Sequence, residues 1–318
     1  MVGSPQPSLT PRLLVLIAVA FAAVGVVGSW RYLENYWVYR GFAPPHDASY
    51  VRSHGTVQRL YVASRALDGR RQPVDVYLPP GYGRHPARRY PVMYLLHGVP
   101  GRPAAFLETV RMGVVEDELV ALRRARPMIL VMPFGSTGSF TDEEWANGVR
   151  RGSGWETFVA RDVVQAIDAR YRTIPTARGR VLAGLSEGGY GAINIGIHHP
   201  REFATIESWS GYERADDIGT IFGHRPALLR RNSPLDTITA AAPALRRTHA
   251  YFWIYSGTDD RFRPQNARFA AKLASLGLPH RFFLVRGGHN WALWRGNASD
   301  AYLAASRRVE PAEAARGA

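Results

Sequence analysis

The 318-residue chain contains no cysteine. That absence excludes disulfide staples, cysteine-ligated zinc, iron–sulfur clusters and a cysteine nucleophile. Lysine is almost as scarce: Lys272 stands alone, so nearly all of the 40 basic residues are arginine. Against 26 acidic residues they leave a formal net charge of +14. The arginines come as scattered pairs such as Arg88-Arg89 and Arg246-Arg247, without a long basic run or a nucleic-acid-binding module. No nucleic-acid partner is expected; a generic basic surface, attractive to anionic lipid, is. Low-complexity tracts and internal repeats are also missing, and 46% hydrophobic with 21% charged residues excludes a disordered chain.

One long apolar run is present. Leu13 to Trp30 carries no charge and follows Arg12. As a helix it spans about 27 Å, enough for a bilayer core. Trp30, Tyr32, Tyr36, Trp37 and Tyr39 follow as an interfacial aromatic cluster. The segment reads as an uncleaved anchor; the competing reading is a signal peptide cleaved near Val26-Val27-Gly28. Arg31, Arg40 and Arg52 after the segment argue for a cytoplasmic domain under the positive-inside rule. A signal-like N-terminus and the lack of cysteine argue for an extracytoplasmic one, which is the expected location, or secretion if the segment is removed. The expected organisation is a tail at 1–12, the membrane segment at 13–30, a linker at 31–55, a catalytic domain at 56–308 and a disordered tail at 309–318.

From Thr56 the pattern alternates between strands and helices. Strand-like runs cover Thr56–Ala63, Pro73–Leu78, Tyr90–Leu96, Met128–Met132, Gly179–Leu185, Ala204–Trp209, Ala250–Tyr255 and Arg281–Val285. Helix-like stretches are Phe106–Arg124, Trp155–Tyr171, Gly188–His199, Gln265–Leu276 and Trp291–Arg307. The first two strands, separated only by a turn, read as an antiparallel hairpin. Those after Tyr90 are apolar on both faces and separated by helices, which predicts an α/β fold with a mostly parallel sheet covered on both sides.

Three strand ends carry chemistry. Gly184-Leu185-Ser186-Glu187-Gly188 joins the strand Val181-Leu182-Ala183 to a small-residue helix, the context a G-x-S-x-G nucleophile turn requires. Glycines two positions either side of Ser186 relieve the crowding of a sharp turn, and the Glu187 amide at the helix start can bind an oxyanion. The Glu187 side chain is expected to point away. The loop His97-Gly98-Val99-Pro100-Gly101 follows another strand and offers the Val99 amide as second donor, with His97 shaping the loop. A serine nucleophile needs a base and a carboxylate to orient it. Asp259 and Asp260 stand at the end of Tyr251–Tyr255, and His289 follows Arg281–Val285 in Gly287-Gly288-His289-Asn290-Trp291. Pro133–Trp145 follows a strand at the same edge and reads as lining the acyl or alcohol pocket; its acidic Asp142, Glu143 and Glu144 read as a solvated loop, the alternative being a contact with a cationic substrate group. Trp145, Trp155, Trp209, Trp291 and Trp294 read either as cleft or as core.

Five segments, YPVMYLLHGVPG (90–101), GWETFVARDVVQAIDARYRT (154–173), GLSEGGYGAINIGIHHPREF (184–203), YSGTDD (255–260) and GGHNW (287–291), resemble one family. It is the esterase-D-like α/β-hydrolases, which include S-formylglutathione hydrolases, feruloyl and enterochelin esterases and mycolyltransferases. The resemblance covers most of residues 56–305. It implies an α/β-hydrolase fold without a large cap and a Ser–His–Asp triad, and favours Asp260 over Asp259 as the acid. Glu187 replaces the family's usual Met or Gln, and the aspartates differ from the mycolyltransferases' glutamate. The expectation is a membrane-anchored serine esterase acting on a small-molecule or lipid ester, with catalytic Ser186, Asp260 and His289, oxyanion donors Val99 and Glu187, and neither metal nor organic cofactor. Two alternatives stay open: an acyltransferase passing the acyl group to a sugar or lipid hydroxyl, and a non-catalytic envelope binding protein.

Overall fold

The computed structural model describes residues 10–138, 141, 143–215 and 220–310. The chain divides into two compact units, residues 1–44 and 45–318. In the first, a helix runs over Pro11–Trp37 and is long and apolar enough to cross a membrane. It extends past the expected 13–30, so Trp30, Tyr32, Tyr36 and Trp37 lie on the helix rather than after it. Proline at its first position costs nothing there, because that amide has no intrahelical acceptor.

The second unit is built on one eight-stranded sheet: β1 (Thr56–Ala63), β2 (Arg71–Leu78), β3 (Val92–Leu96), β4 (Ile129–Pro133), β5 (Arg180–Leu185), β6 (Thr205–Trp209), β7 (Tyr251–Gly257) and β8 (His280–Val285). The order is β1-β2-β4-β3-β5-β6-β7-β8. β1 and β2 form the expected hairpin, β2 runs antiparallel to β4, and every later pair is parallel. A parallel neighbour needs a crossover, so helices cover both faces and β3 to β6 are buried along their whole length. Alternation still sorts the side chains. Met93, Leu95, Val181 and Trp209 face one core with the helices Met112–Ala121 and Trp291–Arg308. Val92, Tyr94, Leu96 and Leu182 face another, under Trp155–Arg170.

Several elements depart from expectation. Phe106–Arg124 is two helices, Ala105–Glu108 and Met112–Ala121, split where Arg111 adopts φ +61°. Trp155–Arg170 is helical throughout but widens into a π turn over Phe158–Val163. Two further helices, Pro226–Arg231 and Pro234–Arg247, precede β7. Both open on proline, and the second buries Leu235, Ile238, Ala242 and Leu245, a three–four spacing diluted by alanine and threonine. Of the expected frayed tail, Val309 is buried and its carbonyl accepts from Arg126, while the Glu310 amide donates to the Arg178 carbonyl. Residues 311–318, and 1–9 of the expected N-terminal tail, lie outside the described residues.

Candidate active site

β5 ends at Leu185, and Ser186 follows with φ +56° and ψ −122°, a conformation costly for any residue with a side chain. The surroundings impose it. A Cβ on Gly184 would strike the Gly188 carbonyl, and one on Gly188 the Leu96 carbonyl, so both positions must be glycine for strand and helix to approach. The Ser186 amide donates to the Trp209 carbonyl at 3.1 Å, while its own carbonyl accepts from Gly189 and Tyr190. The helix Glu187–His198 begins immediately after, directing its positive dipole end at the turn.

The loops after β7 and β8 converge on this serine. His289 Nε2 lies 2.8 Å from Ser186 Oγ, and His289 Nδ1 lies 2.9 Å from Asp260 Oδ2. The other carboxylate oxygen of Asp260 accepts the Phe262 amide at 2.8 Å. Burial works to raise the Asp260 pKa, but bonds from His289 and Phe262 outweigh it and hold the group below the ordinary aspartate value. A charged Asp260 keeps the imidazole proton on Nδ1 and leaves the Nε2 lone pair facing the serine. Asp259 is exposed and makes no such contact; its amide donates to the Gly287 carbonyl and ties the two loops together.

Val99 sits half-buried in the loop after β3. Its neighbour Gly98 abuts the serine, since a Cβ there would lie 2.9 Å from Ser186 Cβ. Glu187 is the first residue of the helix, and its side chain is buried. The amides of Val99 and Glu187 thus belong to the two segments flanking Ser186.

His97, expected to shape the loop, is buried and bonded at both nitrogens. Nε2 accepts the Gly135 amide at 3.1 Å, which leaves the proton on Nδ1 to donate to the Gly98 carbonyl at 2.9 Å. Burial lowers its pKa to about 4, so the ring is neutral. It meets the ring of Trp145 edge-on, with centroids 5.0 Å apart, and the Trp145 indole N–H returns a bond to the His97 carbonyl.

The loop Pro133–Trp145 departs from its expected solvated state. Glu144 is fully buried and accepts the Tyr212 hydroxyl at 2.9 Å. Glu143 accepts from Thr137 and from the Trp155 indole. Ser139, Phe140 and Asp142 lie outside the described residues. Trp145, Trp155, Trp209 and Trp294 are core residues, and only Trp291 is half-buried. The contact of Trp145 with His97 escaped a reading of spacing because nothing local distinguishes that tryptophan from filler.

Away from this edge, Asp47, His54 and Asp117 bring ligand-type atoms within 4.8 Å of one another, the single such cluster among the described residues. These groups already bond protein partners: His54 pairs with Asp47 at 2.8 Å, and Asp117 accepts from the Tyr77 hydroxyl at 2.5 Å and from the Gly55 amide at 3.2 Å.

The Esterase family model matches residues 64–304. An endo-1,4-beta-xylanase/feruloyl esterase of Xylanibacter ruminicola is 32% identical over 162 residues, 48% of this chain and 21% of the relative. An esterase of Mycobacterium tuberculosis is 28% identical over 245 residues, 68% of this chain and 52% of the relative. The chain thus spans between a fifth and about half the length of these curated relatives. A solved ferulic acid esterase is 26% identical with a TM-score of 0.70, over 80% of this chain and 99% of that one. Because the matched region takes in nearly the whole sheet and all three convergent loops, the chain belongs to the Esterase family and has its α/β-hydrolase fold.

Proposed function

We propose that this chain is a membrane-anchored serine esterase that hydrolyses carboxylic esters through an acyl-enzyme. The observation that carries the reading is the continuous pair of bonds from Ser186 Oγ to His289 and from His289 to Asp260. As Ser186 Oγ attacks the ester carbonyl carbon, its proton passes to His289 Nε2. The carbonyl electron pair collects on oxygen, where the Val99 and Glu187 amides stabilise it. Collapse breaks the bond to the alkoxy group, which takes the proton from Nε2 and departs as the alcohol. Water then gives a proton to the same nitrogen and attacks the acyl-serine carbonyl; collapse breaks the bond to Ser186 Oγ, which takes that proton back from Nε2 as the acid leaves. Asp260 stays ionised throughout and orients the imidazole. Every step is proton transfer or acyl transfer by side chains and amides of this chain, so the scheme calls on no cofactor.

The helix Pro11–Trp37 supplies the anchor, with the catalytic domain outside the cytoplasm. Family membership and relatives named as feruloyl esterases support a carboxylic ester substrate. The test is to treat membranes holding the full chain with a fluorophosphonate probe and map the adduct by peptide mass spectrometry. The expected result is labelling at Ser186 that disappears in His289→Ala. A folded protein that stays unlabelled would remove this reading and leave the binding-protein alternative. Product analysis with added sugar or lipid alcohols separates hydrolysis, which ignores them, from acyl transfer, which consumes them.

A further inference from the structure

His289 emerges from a loop with little stiffness of its own. It follows Arg286-Gly287-Gly288, and Gly287 holds φ +133°. Two rings fix the imidazole instead. Phe262 meets it edge-on with centroids 5.3 Å apart, and Trp294 meets it at 5.1 Å and 87°. Phe262 is half-exposed, whereas Trp294 is only 5% exposed and stands on the long helix Trp291–Arg308.

Trp294 also reaches the nucleophile. Its indole N–H donates to the Trp209 carbonyl at 3.2 Å. That same oxygen accepts the Ser186 amide at 3.1 Å. Trp209 is itself immobilised: fully buried at the end of β6, with its indole N–H on Glu207 at 3.0 Å and its ring against Phe106. One carbonyl with two lone pairs therefore joins the serine turn to the ring that braces the base.

We propose that Trp294 is a positioning residue that holds His289 and the Ser186 turn in a common register through the Trp209 carbonyl. The inference rests on reading Ser186, His289 and Asp260 as the triad. Its consequence is kinetic. Misplacement of a reacting group by an ångström costs on the order of 100-fold in rate. Cutting the brace of His289 loose from the Trp209 carbonyl is a smaller disturbance and falls on the chemical step rather than on substrate binding.

Trp294→Phe keeps an aromatic edge beside His289 but removes the donor to Trp209. The expected result is a fall in kcat of roughly tenfold, with KM within about twofold. The rate of fluorophosphonate labelling should fall in parallel, because the probe needs the same activated serine. The low-field proton resonance of His289 Nδ1–H should broaden or move. Tyr302→Phe serves as the structural control. Tyr302 lies on the same helix, is fully buried and bonds the Arg126 carbonyl and the Met128 amide, far along the helix from His289. That variant should lose stability while keeping kcat, labelling rate and the Nδ1–H resonance. The proposal is overturned if Trp294→Phe stays within twofold of the parent in kcat and labelling, or if Tyr302→Phe reproduces its losses. Labelling that survives in His289→Ala would instead overturn the triad reading beneath it.

Discussion

At the scale of single residues, the site depends on charge states that burial and hydrogen bonding set together. Asp260 is buried yet ionised, because His289 and the Phe262 amide both donate to it. Asp260→Asn keeps the shape but supplies a donor where an acceptor is needed, so the imidazole is driven to the wrong tautomer. The expected loss in kcat is on the order of 10⁴-fold, as for the equivalent change in a Ser–His–Asp triad, with stability measured alongside to separate the effects. His97 shows the opposite arrangement, a ring kept neutral by burial with its pKa lowered from 6.5 to about 4. Between those pH values the unfolded chain binds the proton that the folded chain refuses. Its contribution to stability is therefore complete above pH 6.5 and lost as the pH falls toward 4, a swing of about 3 kcal/mol. Buried Glu116 and Glu207, held protonated by burial, slope the other way, so total stability against pH does not isolate the effect. The difference between the parent and His97→Gln does. It should widen from pH 4 to pH 6.5 in denaturant titrations; a constant difference would refute the assignment.

At the scale of elements, two glycines make opposite predictions. Gly188 lies where β3 and the helix Glu187–His198 touch, and any Cβ would enter the Leu96 carbonyl. Gly188→Ala should cost on the order of 3 kcal/mol or more and abolish serine labelling. Gly296 lies exposed inside the helix Trp291–Arg308 with nothing within 4 Å of an added Cβ. Gly296→Ala should raise stability by about 0.5–1 kcal/mol, seen as a higher Tm at unchanged kcat. Legibility at this scale followed apolar density. The strands Val92–Leu96 and Arg180–Leu185 carry short apolar runs, Val92–Leu96 and Val181–Leu185, each with a glycine (Gly98, Gly184) at or just past its end, and pattern alone finds them. Pro234–Arg247 escaped because alanine and threonine dilute its stripe and Pro243 sits inside it. The break at Arg111 escaped because a left-handed arginine leaves no trace in hydrophobic periodicity.

At the scale of the whole molecule, the proposed function has the two units answer to different solvents. The proposed anchor predicts that the chain stays with the membrane pellet through high salt and alkaline carbonate. Salt extraction would mean attachment only through the basic surface, whose attraction is screened within about 10 Å at 0.1 M salt. An N-terminus mapped just beyond Gly28 would mean a cleaved signal instead. Protease added to intact cells should reach the catalytic domain if it lies outside the cytoplasm, and spare it otherwise.

The sequence by itself determined the sheet's parallel character, the apolar N-terminal segment and the short roster of Ser186, His289 and two candidate aspartates. Each is a local property, written in apolar runs, glycine spacing and strand-to-loop transitions within about ten residues. Tertiary structure decided the rest. Asp259 and Asp260 are indistinguishable by composition; the family resemblance favours Asp260, and the path of the loop after β7 points its carboxylate at His289 while Asp259 is exposed. The acidic stretch ending in Trp145 reads as solvated until Tyr212, 68 residues on, and Trp155, beyond the next turn, are seen to donate to it. The Trp209 carbonyl serves Ser186 and Trp294 together because β5, β6 and the last helix meet there. Contacts between residues some 85 apart leave no pattern in either segment alone, since what defines them is the closing of the chain on itself.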